Sequence, residues 1–297
     1  MSKSTRVIFV PGMKPKPPAD IHHRELYRCL LEGLRRVSPQ VTQLFPKEAL
    51  TLIPWTYLFY GKNRDIELDR PGIKRILEVP DANPDDIEEI ESLAIRIARM
   101  LRILGDTLPA FGRLIVKPEM RLTITEAHRY LQDRRHVATE IRSLLREALI
   151  EAWSARERVL LIGHSLGSVI AYDTLWELSR GKREPGQIDL FITLGSPLGS
   201  RMIQKGLCGA ERSGRQSYPT NIAHWLNFSA RGELTAFRPE LKPFFGEMVE
   251  LGLLRSLRDI TEFYNHFRGN AGLDVHNSYG YLANRVVAES IVAWLKP

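Results

Sequence analysis

Residues 158–173 read Arg-Val-Leu-Leu-Ile-Gly-His-Ser-Leu-Gly-Ser-Val-Ile-Ala-Tyr-Asp, and no other stretch limits the fold as strongly. Val159 to Ile162 is an unbroken, β-favouring apolar run, as expected of a strand covered on both faces. Gly163-His164-Ser165-Leu166-Gly167 follows at once, and Leu166, Val169, Ile170 and Tyr172 then continue at helical spacing. A strand that becomes a helix over five residues, with glycine two before and two after a serine, has the pattern of a nucleophile elbow. The turn is strained, and a side chain at either glycine would collide with the neighbouring strand or helix. Its serine hydroxyl is lifted to a helix N-terminus, where backbone N–H groups and the helix dipole favour a developing negative charge. The Leu166 N–H is the expected first donor.

The rest of the chain supplies alternating strands and helices. Arg6 to Val10 reads as a first parallel strand ended by Pro11-Gly12, followed by an exposed Lys14–Pro18 and a helix over Ile21–Val37. His22 and His23 at its start read as solvated residues. Leu50 to Tyr60 is aromatic and strand-like, with Pro54 confining part of it to an edge or bulge. Asn83-Pro84-Asp85-Asp86 opens a helix whose stripe runs Ile87, Ile90, Ala94, Ile97, Leu101, Leu104 to Gly105. A plain strand–helix alternation does not need residues 61–124, which are therefore expected to form a helical cap insertion over a cleft; packing on the core or on a second subunit is the alternative. A helix from Thr125 or Glu126 to Trp153 leads into the 158–162 strand. Gln187–Leu194 and Trp225–Ser229 read as further strands. Met248, Leu251, Leu254 and Leu257 suggest a short amphipathic helix that would carry Asp259, and Ser278–Lys296 reads as the last helix.

A serine hydroxyl needs a general base, and the base needs an orienting carboxylate. His164 lies inside the elbow, which leaves His224, His266 and His276 downstream of it. His276 is preferred because it follows a short strand-like segment and immediately precedes the final helix, at the sheet edge where α/β sites collect. Glu233, in the loop after the Trp225–Ser229 strand, is the favoured acid, with Asp259 and Asp274 as alternatives.

The elbow, its flanking strand and helix, and a Leu194-Gly-Ser-Pro-Leu198 segment make the chain resemble serine hydrolases of the α/β-hydrolase superfamily. It is similar to intracellular lipases and phospholipases, including the DDHD type, and Trp225 and Asn227 match a W-x-N segment that precedes the catalytic acid there. At that position Glu233-Leu234-Thr235 replaces the usual Asp-Pro-Val. The resemblance implies an α/β-hydrolase fold with a mostly parallel sheet flanked by helices. It also implies the order Ser165, acid, His276, which excludes the earlier His128 and His136, and a second oxyanion N–H from Gly12 or Met13, with Pro11 where a histidine is common. The implied activity is cleavage of small acyl or lipid-like esters through an acyl-enzyme, with no metal and no organic cofactor. A thioesterase or acyltransferase, or an inactive lipid- or partner-binding module, would use the same framework.

At 297 residues the chain suits one large α/β domain with an insertion. No apolar run is long enough for a membrane span, and the four apolar residues before Pro11 are too few for a signal peptide. Two cysteines, Cys29 and Cys208, make neither a disulfide scaffold nor a metal site, so a cytoplasmic location is expected. The +7 charge is partly local, with Arg201, Lys205, Arg212, Arg215, Arg231 and Arg238 set against Glu211 and Glu233. Such a face could steer anionic substrates or rest peripherally on anionic lipid. It lacks any nucleic-acid motif, so nucleic acid is not an expected partner.

Overall fold

A computed structural model of the chain describes residues 4–43, 45–93, 95, 126–133, 136–181, 186–233, 238–270 and 272–296. Its centre is a six-stranded sheet made of β1 (Thr5–Val10), β2 (Leu50–Leu52), β3 (Arg158–His164), β4 (Ile188–Leu194), β5 (Ile222–Phe228) and β6 (Ser256–Ile260). The order is β2-β1-β3-β4-β5-β6 and every pairing is parallel. The protein is therefore α/β.

The period of two along a strand divides the core between the sheet faces. Ile8, Val10, Val159, Leu161, Phe191 and Trp225 face one way, where helices α2 (Val137–Ser154) and α3 (Leu166–Leu178) cover them. Val7, Phe9, Leu160, Ile162, Ile192 and Phe228 face the other, under α1 (Ala19–Val37), α4 (Ser278–Ala283) and α5 (Arg285–Leu295). Leu26, Cys29, Leu30 and Leu34 of α1 recur at three and four and are fully buried, which is why this amphipathic segment lies flat on the sheet.

Several boundaries differ from those read in the sequence. Leu50–Tyr60 is not one strand: only Leu50–Leu52 pairs with β1, and after Pro54 the chain forms a helix over Trp55–Tyr60. Pro54 has no N–H for a ladder, and the five following residues bury Trp55, Thr56 and Phe59 together. Asp259 lies in β6 rather than on a helix, because the 248–257 stripe is split between a short turn of helix at Glu247–Glu250 and the strand. The last helix breaks at Asn284, whose side chain caps α5 by accepting from the Val286 N–H. The 125–153 helix is also interrupted, with a helical turn over 126–131 and α2 beginning at Val137. Within 61–124, the helix Arg70–Glu78 sends Ile73 and Ile76 into the core under the α1 face, and Ile90 is buried in the helical stretch 84–93. Residues 94 and 96–124, with the remainder of the expected cap and the Ala94–Leu104 part of its stripe, lie outside the described residues.

The chain leaves β1 to one side for β2 and returns to the other side for β3. The carboxyl ends of β1 and β3 thus flank the point where the topology reverses, which is where open α/β sheets form their crevices.

Candidate active site

Ser165 stands at that crevice, between the end of β3 and the start of α3, with φ 52° and ψ −127°. A non-glycine residue at positive φ is strained, and here the strain is held from both sides. Its N–H donates to the Leu194 carbonyl at 2.9 Å, and its carbonyl accepts from the Ser168 N–H at 3.0 Å and from Ser168 Oγ at 2.6 Å. Gly167 has no room for a side chain, since an added Cβ would run into the Val10 carbonyl oxygen and lie 2.6 Å from that of Pro11. Leu166 opens α3, so its N–H has no carbonyl one turn earlier in the helix and remains available.

The loop after β1 closes over the serine. A Cβ added to Gly12 would sit 2.7 Å from Ser165 Cβ and 2.8 Å from His164 Nδ1. This loop is pinned by the helix that sequence reading took for a strand. Trp55 Nε1 donates to the Pro11 carbonyl at 2.8 Å, and the Lys14 N–H donates to Tyr60 Oη at 3.0 Å. Met13, between these anchors, lines the same cavity as Ser165.

Glu233 and His276 meet at the other wall. His276 Nδ1 lies 2.9 Å from Glu233 Oε2, whose side chain is 1% exposed against 28% for the histidine. Tyr281 Oη donates to the same carboxylate oxygen at 3.0 Å. Gly195, at φ +54°, ends β4 beside them; a Cβ there would lie 2.7 Å from Glu233 Oε2. His164 supports the loop, with Nε2 2.7 Å from the His276 carbonyl. Burial holds the His164 ring well below its ordinary pKa, with the His276 charge adding to the effect, so it is neutral and donates from Nε2. Burial also pushes the His276 ring down, but the Glu233 carboxylate outweighs it and leaves its pKa above 6.5. Ser165, Glu233 and His276 line one cavity of about 300 Å³, with Leu166 and Met13. Ser165 Oγ makes no hydrogen bond to the His276 ring in this arrangement, a contact that commonly tightens only with substrate in place.

The other candidates have separate duties. Asp259 accepts from Asn227 Nδ2 and the Leu241 N–H, each at 2.8 Å, and from the Lys242 N–H at 3.0 Å. Asn227 in turn accepts from Thr193 Oγ1, to which Trp225 Nε1 donates. The Trp225–Asn227 pair thus belongs to a cross-strand relay that anchors the chain beyond the Glu233 loop. Asp274 accepts from the His276 and Asn277 side of its own turn, at 3.2 and 3.3 Å, instead of reaching the imidazole. His224 bonds Ser256 Oγ and His266 the Val79 carbonyl, both away from the cavity. His22 departs from its expected solvated state: it is 3% exposed and lines the cavity.

Sequence reasoning missed Trp55, Tyr60 and Tyr281, which hold the loop after β1 and the Glu233 carboxylate in place. Their aromatic character was visible, but their partners lie 44 to 48 positions away. Among the described residues no cluster of His, Cys, Asp and Glu could hold a metal ion, both cysteines are free, and no helix is long and apolar enough to cross a membrane. No protein-family model matches the chain, and neither does any curated protein or solved structure. The sheet and the cavity therefore define an α/β protein with a serine, a histidine and a glutamate gathered at the topological switch point.

Proposed function

We propose that the protein is a serine hydrolase of the α/β-hydrolase kind that cleaves carboxylic esters. The observation that carries this reading is the pairing of His276 with the enclosed Glu233 across one cavity from a serine in a strained strand-to-helix turn. Glu233 fixes the ring so that Nδ1 carries hydrogen and Nε2 presents the lone pair that a general base uses. His276 Nε2 takes the Ser165 proton as Oγ forms a bond to the ester carbonyl carbon. The negative charge passes to the carbonyl oxygen, which receives hydrogen bonds from the Leu166 N–H and from Gly12 or Met13, each worth about 3 kcal/mol in the transition state. Collapse expels the alcohol, which takes the proton from His276. Water then repeats the sequence, releasing the acid and restoring Ser165.

Met13, Leu166, Met202 and Ile203 give the cavity an apolar side suited to an acyl group. Its volume is at the small end for ligand sites, which favours short acyl chains over long lipid tails. The two free cysteines suit a reducing compartment such as the cytoplasm.

The test is initial rates on p-nitrophenyl esters from acetyl to palmitoyl, with fluorophosphonate labelling. Cleavage best at short chain lengths is expected, with labelling abolished and kcat lowered by about 10³-fold or more in Ser165→Ala. Absence of both turnover and labelling would overturn the reading in favour of an inactive binding module.

A further inference from the structure

Besides Ser165 and His276, the cavity is lined by Lys16, Arg64, Asp69 and Tyr279, which lie near enough for the charges of Arg64 and Asp69 to act on the other two. The Arg64 N–H donates to the Lys16 carbonyl at 2.9 Å, tying the loop after β1 to the segment that brings Arg64 and Asp69. Seven enclosed side-chain polar atoms lack a hydrogen-bond partner among the described residues, and two of them, Arg64 Nε and Tyr279 Oη, belong to this group; a third in the cavity lining, His164 Nδ1, lies by Gly12 and is an acceptor. Enclosed polar groups are normally satisfied, so such a concentration calls for a missing partner. Lys16 adds a cation that makes no hydrogen bond or ion pair with a described residue.

The carboxylates nearby are already occupied. Asp69 accepts from Arg64 Nη2 at 2.8 Å, Asp274 serves its own turn, and Glu233 holds His276. Burial keeps His22, edge-on to Tyr279, neutral. The unspent capacity at Lys16, Arg64 Nε and Tyr279 Oη is therefore donor capacity. Burial pushes the Lys16 ammonium down to about 8, with the charges of Arg64 and Lys14 adding to the effect and those of Asp69 and Asp274 opposing it. This group lies on the His276 side: the Lys16 charge acts on both His164 and His276, and Tyr279 is three residues beyond His276. The leaving alcohol must also lie on that side, because His276 hands it a proton.

We propose that Lys16, Arg64 and Tyr279 form a receptor for an oxyanion, a carboxylate or a phosphate, carried on the alcohol portion of the ester that Ser165 attacks. This rests on the ester-hydrolase reading. It makes the substrate an acyl ester of an acidic alcohol, held by charge-assisted hydrogen bonds at one end and by the apolar side at the other.

The test compares kcat/KM for ethyl butyrate, butyryl glycolate (carboxylate on the alcohol), 2-phosphoethyl butyrate (phosphate on the alcohol) and monoethyl succinate (carboxylate on the acyl part). Wild type should prefer one of the two esters of acidic alcohols by about tenfold or more over ethyl butyrate, with no such gain for monoethyl succinate; the better of the two identifies the anion. Lys16→Met should bring that ratio to within about twofold of one, and Tyr279→Phe should reduce it in part. In parallel, glycolate or phosphoethanol should raise the wild-type Tm, and neither should raise that of Lys16→Met. A wild-type preference for the neutral ester, or a ratio untouched by Lys16→Met, with Ser165 still labelled by fluorophosphonate, overturns the receptor and leaves the hydrolase standing. Stabilisation by a product alcohol that depends on Lys16, with no ester cleaved and no labelling, supports the anion receptor and overturns the hydrolase. Neither stabilisation nor cleavage overturns both.

Discussion

His276 sits between opposing influences, and their balance has a measurable signature. Burial favours its neutral form, while Glu233 at 2.9 Å and, more weakly, Asp274 favour the imidazolium and win. A general base works when neutral, so kcat/KM on a short ester should rise with pH through a midpoint above 6.5. Glu233→Gln removes the largest influence raising that midpoint. It should therefore move to lower pH, and kcat should fall by about 10²- to 10⁴-fold, since glutamine also lets the ring take the wrong tautomer. A pH–rate profile checks both; an unmoved midpoint would show that Glu233 does not govern the ring. Ser165, Glu233 and His276, which the structure gathers at one cavity, could be picked out because each occupies a turn at the carboxyl end of a recognisable strand or just before a helix. Lys16, Arg64 and Tyr279 were not, because a lysine in an exposed-looking Pro-rich stretch says nothing of the arginine and tyrosine that enclose it.

Among the elements, the strands were the most legible, because a strand covered on both faces must be apolar throughout. β3, β4 and β5 needed little more than their composition. Reading failed where an aromatic run carries no period: Trp55–Tyr60 suits either a strand or one turn and a half of helix, and only packing against the loop after β1 decides. The 248–257 stripe failed for the opposite reason, since helical spacing persisted across a chain reversal. The meeting of α3 with β1 is the tightest consequence of this layout. Gly167→Ala places a methyl group against the Val10 and Pro11 carbonyls, neither of which can yield without distorting β1. It should cost about 2–4 kcal/mol. Gly61→Ala, where the added Cβ meets nothing but φ is +67°, should cost only about 1 kcal/mol. Thermal melts of the two variants would separate close approach from backbone strain, and equal losses would contradict the tight packing at Gly167.

Across the whole molecule, one buried carboxyl couples the fold to pH at a distance from the cavity. Asp173 of α3 accepts from the Cys208 N–H at 2.8 Å and from Tyr130 Oη at 3.2 Å. Burial raises its pKa to about 6, against the Cys208 N–H and the Arg142 charge, which pull it down. The native state then holds a proton that the unfolded chain releases near 4. Asp173 thus costs stability progressively as pH rises from about 4 to 6, by about 3 kcal/mol in all. Asp173→Asn retains an acceptor for Cys208 and cannot ionise. Denaturant titrations at pH 4.5 and 7 should show a smaller fall in stability between them for the variant than for wild type, and an equal fall would refute the assignment.

The placement of β1 between β2 and β3 makes completion of the cavity depend on a contact between distant parts of the chain. Thr5 pairs with Arg158, more than half the chain away, and the β1–β3 ladder carries Gly12 to Ser165, where Trp55 and Tyr60 pin its loop. Closing a loop of that length costs about 4–5 kcal/mol of chain entropy beyond a constant term. The strands β3, β4 and β5 and their helices are joined through much shorter connections, so the turn at Ser165 costs less chain entropy to close than the approach of Gly12 does. On the proposed hydrolase reading, a chain with β1 undocked would keep Ser165 beside the Leu166 N–H and would lack the second donor, Gly12 or Met13, until that strand docks.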